Sequence, residues 1–151
     1  MTNYSVTYVT GETMLPKREL ISAAFLIALD GTKILAIEND RGWDIPGGHV
    51  EEGETPEEAL AREVQEEAGA TFSNARLFAM IESDDEGQYK DKVMYMYLAD
   101  DFTLGTFTPG EDAFGRNVIE VKEFFERYRG TSVLAEIIPR AQSVINSIIP
   151  L

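Results

Sequence analysis

Hydrophobic and polar residues alternate along the chain in a pattern that predicts several strands separated by turns. The longest apolar stretch, residues 21–29, contains one hydroxyl residue, Ser22, and no charge. This length is typical of a buried strand, since a membrane-spanning helix needs about 20 apolar residues. The dipeptide Asp30-Gly31 favours a tight hairpin turn into the next strand. Further strands are predicted at residues 4–9, 33–38, 76–82 and 93–99, with a short element at 116–120.

A helix is predicted at residues 56–68, and both of its ends are marked in the sequence. Thr55 is a good N-cap, Pro56 suits the first turn, and Glu58 follows three residues after the cap as in a capping box. Gly69 supplies the C-terminal stop. The segment before the helix is predicted to be a tight loop because it contains three glycines, Gly47, Gly48 and Gly53.

Two further helices are predicted in the last third of the chain. One covers residues 121–128 and ends before Gly130, and the other covers residues 133–148. The second carries an apolar stripe wide enough to cover one face of a sheet, formed by Leu134, Ile137, Ile138, Ala141, Val144, Ile145 and Ile148. Strands and amphipathic helices in this order predict an α/β (α+β) fold with a mixed sheet between layers of helices.

One face of the helix at 56–68 carries three carboxylates, those of Glu63, Glu66 and Glu67. Side chains three and four positions apart share a helix face, so these carboxylates converge and repel one another. Hard cations that prefer oxygen ligands, Mg²⁺ above all and Mn²⁺ as an alternative, would neutralise them. A solvated acidic face is the competing explanation, because the whole chain is acidic. The glycines before the helix and Arg62 among the glutamates favour the cation site.

Residues 48–70, GHVEEGETPEEALAREVQEEAGA, resemble the Nudix box, written G-x5-E-x7-R-E-U-x-E-E-x-G-U with U an aliphatic residue. Every defined position is filled, in order by Gly48, Glu54, Arg62, Glu63, Val64, Glu66, Glu67, Gly69 and Ala70. The preceding run from Trp43 to Gly47 is similar to the W-x-x-P-G sequence that often leads into the box. The resemblance implies the αβα sandwich of the Nudix fold and hydrolysis of a nucleoside diphosphate linked to another group X.

The resemblance assigns roles to residues by their position in the box. Glu63, Glu66 and Glu67 are expected to bind Mg²⁺ together with the backbone carbonyl of Gly48. Glu66 is the first choice within the box for the general base that takes a proton from the attacking water. Arg62 would orient the glutamates, so the expected catalytic group is Glu66, Arg62 and Glu63.

Three more positions in or next to the box have expected structural roles. Glu54 would act within the loop as a partner of the residues that hold the cation. Gly47 and Gly69 would shape the backbone before and after the helix.

Candidate site residues also lie outside the box. Glu111, after a Pro-Gly turn, is a candidate metal ligand or base with Asp112 beside it, and an ordinary acidic loop explains the pair equally well. Trp43 is a candidate for stacking on a nucleobase, with packing on the core as the favoured alternative. Arg41 is a candidate for a phosphate contact, with an exposed arginine as the alternative. His49 adjoins the box glycine, and a structural or exposed position is favoured for it.

The composition limits the size and the partners of the protein. With 151 residues and 44% hydrophobic content, residues 1–151 are expected to form one domain with its own core. A formal net charge of −14 argues against binding to nucleic-acid polymers, whereas bound cations would allow a small nucleotide to bind. The chain has no cysteine and its first residues lack a signal-peptide pattern, so we expect a cytoplasmic protein that does not associate with membranes.

The substrate is narrowed by elimination among Nudix subfamilies. The chain lacks the SQPWPxPxS string of NADH hydrolases, and it lacks the proline about fifteen residues after the box that is linked with ADP-ribose hydrolases. Tyr89 stands near the tyrosine position of some dinucleoside polyphosphate hydrolases. A nucleoside triphosphate, including an oxidised one such as 8-oxo-dGTP, is the expected substrate, with ADP-ribose and dinucleoside polyphosphates as alternatives.

A hypothesis of another class is a Nudix domain that senses a nucleotide without cleaving it. A degraded box is the usual sign of such domains, and the intact box here favours an enzyme. Homodimers are common among proteins of this resemblance. Three apolar residues near the N-terminus fit either an interface or burial within one chain, namely Val6, Val9 and Ile21.

Overall fold

Ten strands and three helices are formed in the part of the chain that the computed structural model describes, residues 3–84, 86–87 and 90–148. The strands are β1 (Tyr4–Tyr8), β2 (Ile21–Asp30), β3 (Lys33–Asn39), β4 (Gly42–Asp44), β5 (Gly47–His49), β6 (Ala70–Thr71), β7 (Ala75–Ser83), β8 (Val93–Ala99), β9 (Thr103–Leu104) and β10 (Gly115–Glu120). The helices are α1 (Pro56–Ala68), α2 (Val121–Arg127) and α3 (Val133–Ile148), and a 3₁₀ turn at Arg18–Leu20 precedes β2. Tyr89 lies outside the described residues. None of the described helices is long and apolar enough to cross a membrane.

β2 lies at the centre of the large mixed sheet and pairs along both of its edges. The strand order is β1-β7-β8-β2-β3-β10, in which β2 and β8 are parallel and the other neighbours are antiparallel. Opposite β8, the strand β2 pairs with β5 at residues 23–25 and with β3 only at Leu29 and Asp30. β4 in turn pairs with β3. The β2–β5 ladder and the β3–β4 ladder therefore diverge from the hairpin, and a cleft opens between them.

Helices cover both faces of this sheet. Successive residues of a strand point to opposite faces, so Leu26 and Ala28 of β2 belong to the core under α1, whereas Ile27 and Leu29 belong to the core under α2 and α3. The helices contribute Leu60, Val64 and Ala68 from α1 to the first core, and Phe124, Leu134, Ile137, Ile138, Ala141 and Ile145 from α2 and α3 to the second. The predicted αβα sandwich with a mixed sheet between helices is confirmed.

The predicted helix at 56–68 is confirmed at both ends. Thr55 Oγ1 accepts a hydrogen bond from the Glu58 backbone N–H at 3.1 Å, and Glu58 Oε1 accepts one from the Thr55 N–H at 2.9 Å. Gly69 ends the helix in the left-handed conformation with φ +58°. A Cβ on Gly69 would lie 2.3 Å from the carbonyl oxygen of Thr106, so the helix end is also closely packed. Local sequence signals therefore mark both boundaries, and tertiary packing adds to the second.

The structure differs from the sequence prediction in the segment before α1. Gly47 and Gly48 do not lie in a free loop, because residues 47–49 form β5 and pair with β2. No periodic pattern predicts β4, β6 or β9, since strands of two or three residues are too short to show one. α3 has its predicted bounds, and the side chain of Ile148 lies outside the described part of that helix.

Candidate functional site

Arg62 is the centre of an ion-pair network on the open face of α1. Its Nε and Nη2 donate to the two carboxylate oxygens of Glu54 at 2.8 and 2.9 Å, which fixes the plane of the guanidinium. Its Nη1 donates to Glu63 Oε1 at 3.0 Å and to Glu66 Oε2 at 3.3 Å. Nη2 also donates to the carbonyl oxygen of His49 at 3.2 Å. Arg62 thus joins the loop before α1 to two of the three glutamates on the helix face.

Glu54 is held by its neighbours as a permanent anion. Its Oε1 accepts the backbone N–H of Glu51 at 2.9 Å in addition to the bonds from Arg62. The side-chain bond from Arg62 is the largest cause that lowers the pKa of Glu54 to about 2, and the Glu51 N–H adds to it. The bond to Glu54 in turn raises the pKa of Arg62. Both partners are therefore charged at neutral pH.

The side chain of Arg18 binds the backbone of the same loop. Its Nε donates to the carbonyl oxygen of Glu54 at 2.6 Å, and its Nη2 donates to that of Glu51 at 3.0 Å. The sequence does not reveal this contact, because every residue offers a carbonyl acceptor and the partners are 33 and 36 positions apart. Arg18 and Arg62 together fix residues 51–54 beside the glutamate face.

Glu63 lies against the backbone of β5. A Cβ on Gly48 would stand 2.6 Å from Glu63 Cδ, so glycine leaves the room that this carboxylate occupies. The side chain of Glu63 is 17% exposed. Burial is the largest cause that raises its pKa, and the charges of Glu66 and Asp112 act in the same direction while Arg62 lowers it. The Gly48 backbone and the Glu63 carboxylate are therefore brought together, as their predicted roles require.

Glu67 is the most enclosed of the three glutamates and lines the cleft. Its Oε1 accepts the backbone N–H of Gly47 at 2.9 Å. Burial is the largest cause that raises its pKa to about 7; the charges of Glu63, Asp112 and Asp44 add to the increase, whereas the Gly47 bond opposes it. Without a cation, burial and the neighbouring carboxylates therefore favour the protonated form of Glu67 more than that of an ordinary glutamate.

The cleft between the two ladders has a volume of about 310 Å³ and an acidic lining. Its acidic residues are Asp40, Asp44, Glu67, Glu111 and Asp112. Arg41 also lines the cleft, and its Nη2 lies 3.5 Å from Asp44 Oδ2. The structure thus brings Glu111, Asp112 and Arg41, three candidates from outside the box, to the same cleft as Glu67.

Asp40 and Asp44 line the cleft although the sequence pattern does not single them out. They stand in the turn and the strand that follow β3. The register that places Asp44 opposite Ile37 turns this segment towards Glu67. The sequence would have identified these two residues as cleft residues only if the short strand β4 had been predicted.

Trp43 is placed on the other side of the sheet from α1. It is 9% exposed and belongs to the core under α2 and α3. The guanidinium of Arg127 lies over its ring, 4.8 Å from the centroid. Since neighbouring residues of β4 face opposite ways, Asp44 reaches the cleft and Trp43 does not. The placement therefore gives no support to the predicted stacking of Trp43 on a nucleobase and agrees with the alternative of core packing.

Glu66 and His49 lie at the exposed edge of the site. The side chain of Glu66 is 59% exposed, and one of its oxygens is held by Arg62. His49 is exposed at the end of β5 and takes part in the network through its carbonyl oxygen. The exposed position expected for His49 is confirmed.

The donor set suits a divalent cation that prefers oxygen ligands. Within the described residues, no three acidic or histidine side chains are already gathered around one point. Glu63 and Glu67 nevertheless act on each other electrostatically, and burial and neighbouring carboxylates raise the pKa of both. A cation between these groups and the Gly48 backbone would offset the free-energy cost of keeping both carboxylates ionised.

Comparison with protein families gives a match to the NUDIX domain over residues 19–141. The 8-oxo-dGTP diphosphatase of Haemophilus influenzae is 38% identical over 74 residues, which cover 47% of this chain and 52% of that protein. The RNA pyrophosphohydrolase of Photobacterium profundum is 49% identical over 37 residues, which cover 24% of this chain and 21% of that protein. The chain spans about half, or less, of the length of the first curated relatives that it matches.

Among solved structures, the pyrophosphohydrolase BsRppH of Bacillus subtilis has the same fold. The superposition has a TM-score of 0.72 and covers 97% of this chain and 91% of that chain, with 22% sequence identity. At this level of identity the likeness establishes the arrangement of the sheet and helices and nothing about the substrate.

Proposed function

This chain belongs to the Nudix family, and from that membership we propose that it hydrolyses a nucleoside diphosphate linked to another group X. Water would attack a phosphorus atom of the diphosphate bridge, and the phosphoanhydride bond would break. The observation that carries the proposal is the placement of the Glu63 carboxylate between the Gly48 backbone and Arg62 on the open face of α1. The site is rich in oxygen atoms, and the Glu63 carboxylate has the Gly48 backbone on one side and Arg62 on the other.

The proposed substrate is a nucleoside triphosphate, including an oxidised form such as 8-oxo-dGTP, with release of pyrophosphate. Similarity to a protein named 8-oxo-dGTP diphosphatase supports this choice. The cleft volume of about 310 Å³ is at the small end for ligand pockets, which favours one nucleotide over two linked ones. ADP-ribose and dinucleoside polyphosphates are the alternatives. An RNA substrate, suggested by the other relative's name, RNA pyrophosphohydrolase, is disfavoured by the net charge of −14.

Nudix hydrolases generally use divalent metal ions, and the proposed cation here is Mg²⁺, with Mn²⁺ as the alternative. The proposed ligands are the carbonyl oxygen of Gly48 and the carboxylates of Glu63, Glu66 and Glu67, with Glu111 as a further candidate. When bound, the cation supplies positive charge to the phosphate oxygens and lowers the pKa of water.

Glu66 is proposed to take the proton of the attacking water. It is exposed, and Arg62 holds one of its carboxylate oxygens at 3.3 Å, so the other oxygen can face water. Arg62 orients Glu66 and Glu63 because its own plane is fixed by Glu54. Glu67 is more enclosed and already accepts a backbone hydrogen bond, which suits a ligand better than a base that must release its proton.

Arg41 is the proposed contact for a substrate phosphate. Arg41 lines the cleft, and its ion pair with Asp44 at 3.5 Å is long and exposed on the arginine side. An incoming phosphate would compete well for such a guanidinium, because phosphate accepts two hydrogen bonds from it at once. Trp43 is assigned to the core instead.

A panel of nucleotides tests both the activity and its alternative of another class, a nucleotide-sensing domain. The protein with Mg²⁺ would be given nucleoside triphosphates, 8-oxo-dGTP, ADP-ribose, a dinucleoside polyphosphate and a 5′-triphosphorylated RNA, and released pyrophosphate and phosphate would be measured. We expect pyrophosphate from at least one triphosphate. Tight binding without turnover would support the sensor, and faster cleavage of ADP-ribose, the dinucleotide or the RNA would overturn the proposed substrate.

One domain over residues 1–151 and assembly as a homodimer are also proposed. The family match over residues 19–141 supports the first. Of the candidate interface residues, Ile21 is buried in the core, whereas Val6 and Val9 are only partly buried. Sedimentation velocity would decide the second, since a monomer at micromolar concentration would contradict it.

A further inference from the structure

The segment between β9 and β10 is docked on the C-terminal end of α1. The Gly105 N–H donates to the carbonyl oxygen of Gly69 at 2.8 Å. The Thr106 carbonyl lies so close to Gly69 that a Cβ on this glycine would be 2.3 Å from its oxygen. β6 and β9, which flank these residues, pair with each other as a two-stranded ladder. The start of the segment is therefore fixed to the helix end.

The same segment carries two acids to the cleft. The Gly110 N–H donates to the carbonyl oxygen of Ala113 at 2.8 Å, which closes a turn around Glu111 and Asp112. Both acids line the cleft with Glu67, and Asp112 is close enough to act electrostatically on Glu63 and Glu67. Both acids are themselves exposed.

Arg116, in β10 just after this turn, reaches back to the helix end. Its Nη1 lies within hydrogen-bond distance of three carbonyl oxygens, those of Ala68 at 3.0 Å, Gly69 at 3.3 Å and Gly105 at 2.8 Å. Its guanidinium carbon lies 5.6 Å from the ring centroid of Phe107. The carbonyl end of a helix carries partial negative charge, so a guanidinium is well suited to this place.

We propose that Arg116 is a positioning residue of the site: by joining β10 and the segment after β9 to the end of α1, it sets where Glu111 and Asp112 stand relative to Glu67. The inference rests on the proposed function for its consequence, which is tighter cation binding at the glutamate face. The positioning of Glu111 and Asp112 by Arg116 does not depend on the proposed function. Without Arg116, both ends of the segment would keep their backbone pairing, but the side-chain link from β10, which follows the turn, to the helix end would be lost.

The contacts give Arg116 a role that neither the box nor the cleft lining reveals. It is not among the residues that line the cleft, and its partners at the end of α1 are 47 and 48 positions away in the sequence. Lysine carries the same charge and several donors to the carbonyl oxygens, whereas methionine keeps the apolar stem only. These two substitutions therefore separate the polar link from packing.

The test compares Arg116→Met and Arg116→Lys with Arg140→Met as a matched control. Arg140 also covers an aromatic ring, that of Tyr8 at 4.1 Å, but it lies on α3. Two properties are measured for each protein of residues 1–151: the affinity for Mn²⁺ by titration calorimetry, and the backbone amide resonances of Glu111 and Asp112 without any cation. We expect Arg116→Met to weaken Mn²⁺ binding about 10-fold and to shift both amides. Arg116→Lys should restore the affinity to within about 3-fold, and Arg140→Met should change neither property.

The proposal is overturned if Arg116→Met lowers the melting temperature but binds Mn²⁺ like the wild type with the amides of Glu111 and Asp112 unmoved. It is equally overturned if Arg140→Met has the same effects as Arg116→Met, because a general loss of stability would then explain both. Should the wild type neither bind Mn²⁺ nor cleave any nucleotide, the proposed function fails, and the two amides alone decide the positioning role.

Discussion

The guanidinium of Arg62 meets the carboxylate of Glu54 in a bidentate pair, with N–O distances of 2.8 and 2.9 Å. This pair leaves Nη1 of Arg62 aimed at Glu63 and Glu66. The orientation of two proposed functional carboxylates therefore depends on a residue in the loop before the helix.

Replacement of Arg62 by lysine should keep the charge but lose this orientation. A lysine presents no planar fork to Glu54, so Glu63 and Glu66 would no longer be held together. Residues that orient metal ligands typically contribute 10- to 100-fold, and we expect kcat to fall by about that factor. Steady-state hydrolysis of the best substrate with Mg²⁺ measures this. Arg129→Lys is the control, a charge-conserving change on an arginine whose guanidinium donates to the backbone carbonyl oxygens of Glu126 and Tyr128. Equal losses in both variants would contradict the prediction.

Replacement of Gly48 by alanine should impair the site more than the fold. The new Cβ would lie 2.6 Å from Glu63 Cδ, the far end of a flexible side chain that can move away. Because φ of Gly48 is not positive, alanine adds no backbone strain there. We expect Mn²⁺ affinity and kcat to fall at least about 10-fold, with unfolding free energy within about 1 kcal/mol of the wild type. Gly11→Ala, where a Cβ meets nothing within 4 Å, should change none of these values.

Glu67 should make the metal-free protein less stable at high pH. Its pKa is about 7 in the folded chain against an ordinary value of 4.5, so the folded state holds its proton over a range in which the unfolded state has lost it. This group's contribution to stability therefore declines as pH rises from about 4.5 to about 7. Above pH 7 the folded state carries the full free-energy cost of an ionised, buried Glu67. Glu67→Gln, which cannot ionise and can still accept the Gly47 N–H, should remove the cost.

Urea unfolding in EDTA at pH 4.5 and pH 8 measures this effect. We expect the change in unfolding free energy caused by Glu67→Gln to be more stabilising at pH 8 than at pH 4.5 by about 1–2 kcal/mol, after allowance for solvent screening. An equal effect of the substitution at both pH values would show that Glu67 is not titrating abnormally. Saturating Mg²⁺ should reduce or reverse this difference at pH 8, because the cation would bind the glutamate form more tightly than the glutamine form.

Arg41 and Trp43 should respond differently to substitution, although they are two residues apart. Arg41→Met removes a cation from the cleft lining and should raise KM by about 5-fold or more. Trp43→Phe changes the core under α2 and α3 and should lower the free energy of unfolding by about 1–2 kcal/mol with KM within about 2-fold. Kinetics and urea unfolding of the two variants decide; a higher KM for Trp43→Phe at unchanged stability would restore the stacking role.

Local signals in the sequence predicted α1 to the residue, because the Thr55 cap, its Glu58 partner and the Gly69 stop each act within one turn of a helix end. The glutamate face follows directly from those boundaries. Side chains that bond to distant carbonyl oxygens could not be predicted. Arg18 and Arg116 are of this kind, since their acceptors are backbone atoms that any sequence would provide.

The cleft could not be predicted from the sequence, for a related reason. It exists because β2 pairs with β5 and with β3 at different places, and β4 and β5 are too short to give a periodic pattern. Asp44 and Trp43 show the consequence. They are neighbours in β4, and only the register of that strand shows that one faces the cleft and the other the core.

The most direct test of the central claim is kcat for hydrolysis of the best nucleotide by the wild type, Glu66→Gln and Glu67→Gln, each measured with saturating Mg²⁺ and with EDTA. The proposed site predicts turnover that EDTA abolishes and that each substitution lowers by at least about 100-fold. Robust turnover in EDTA, or turnover that neither substitution changes, would contradict a cation-dependent reaction on this face of α1.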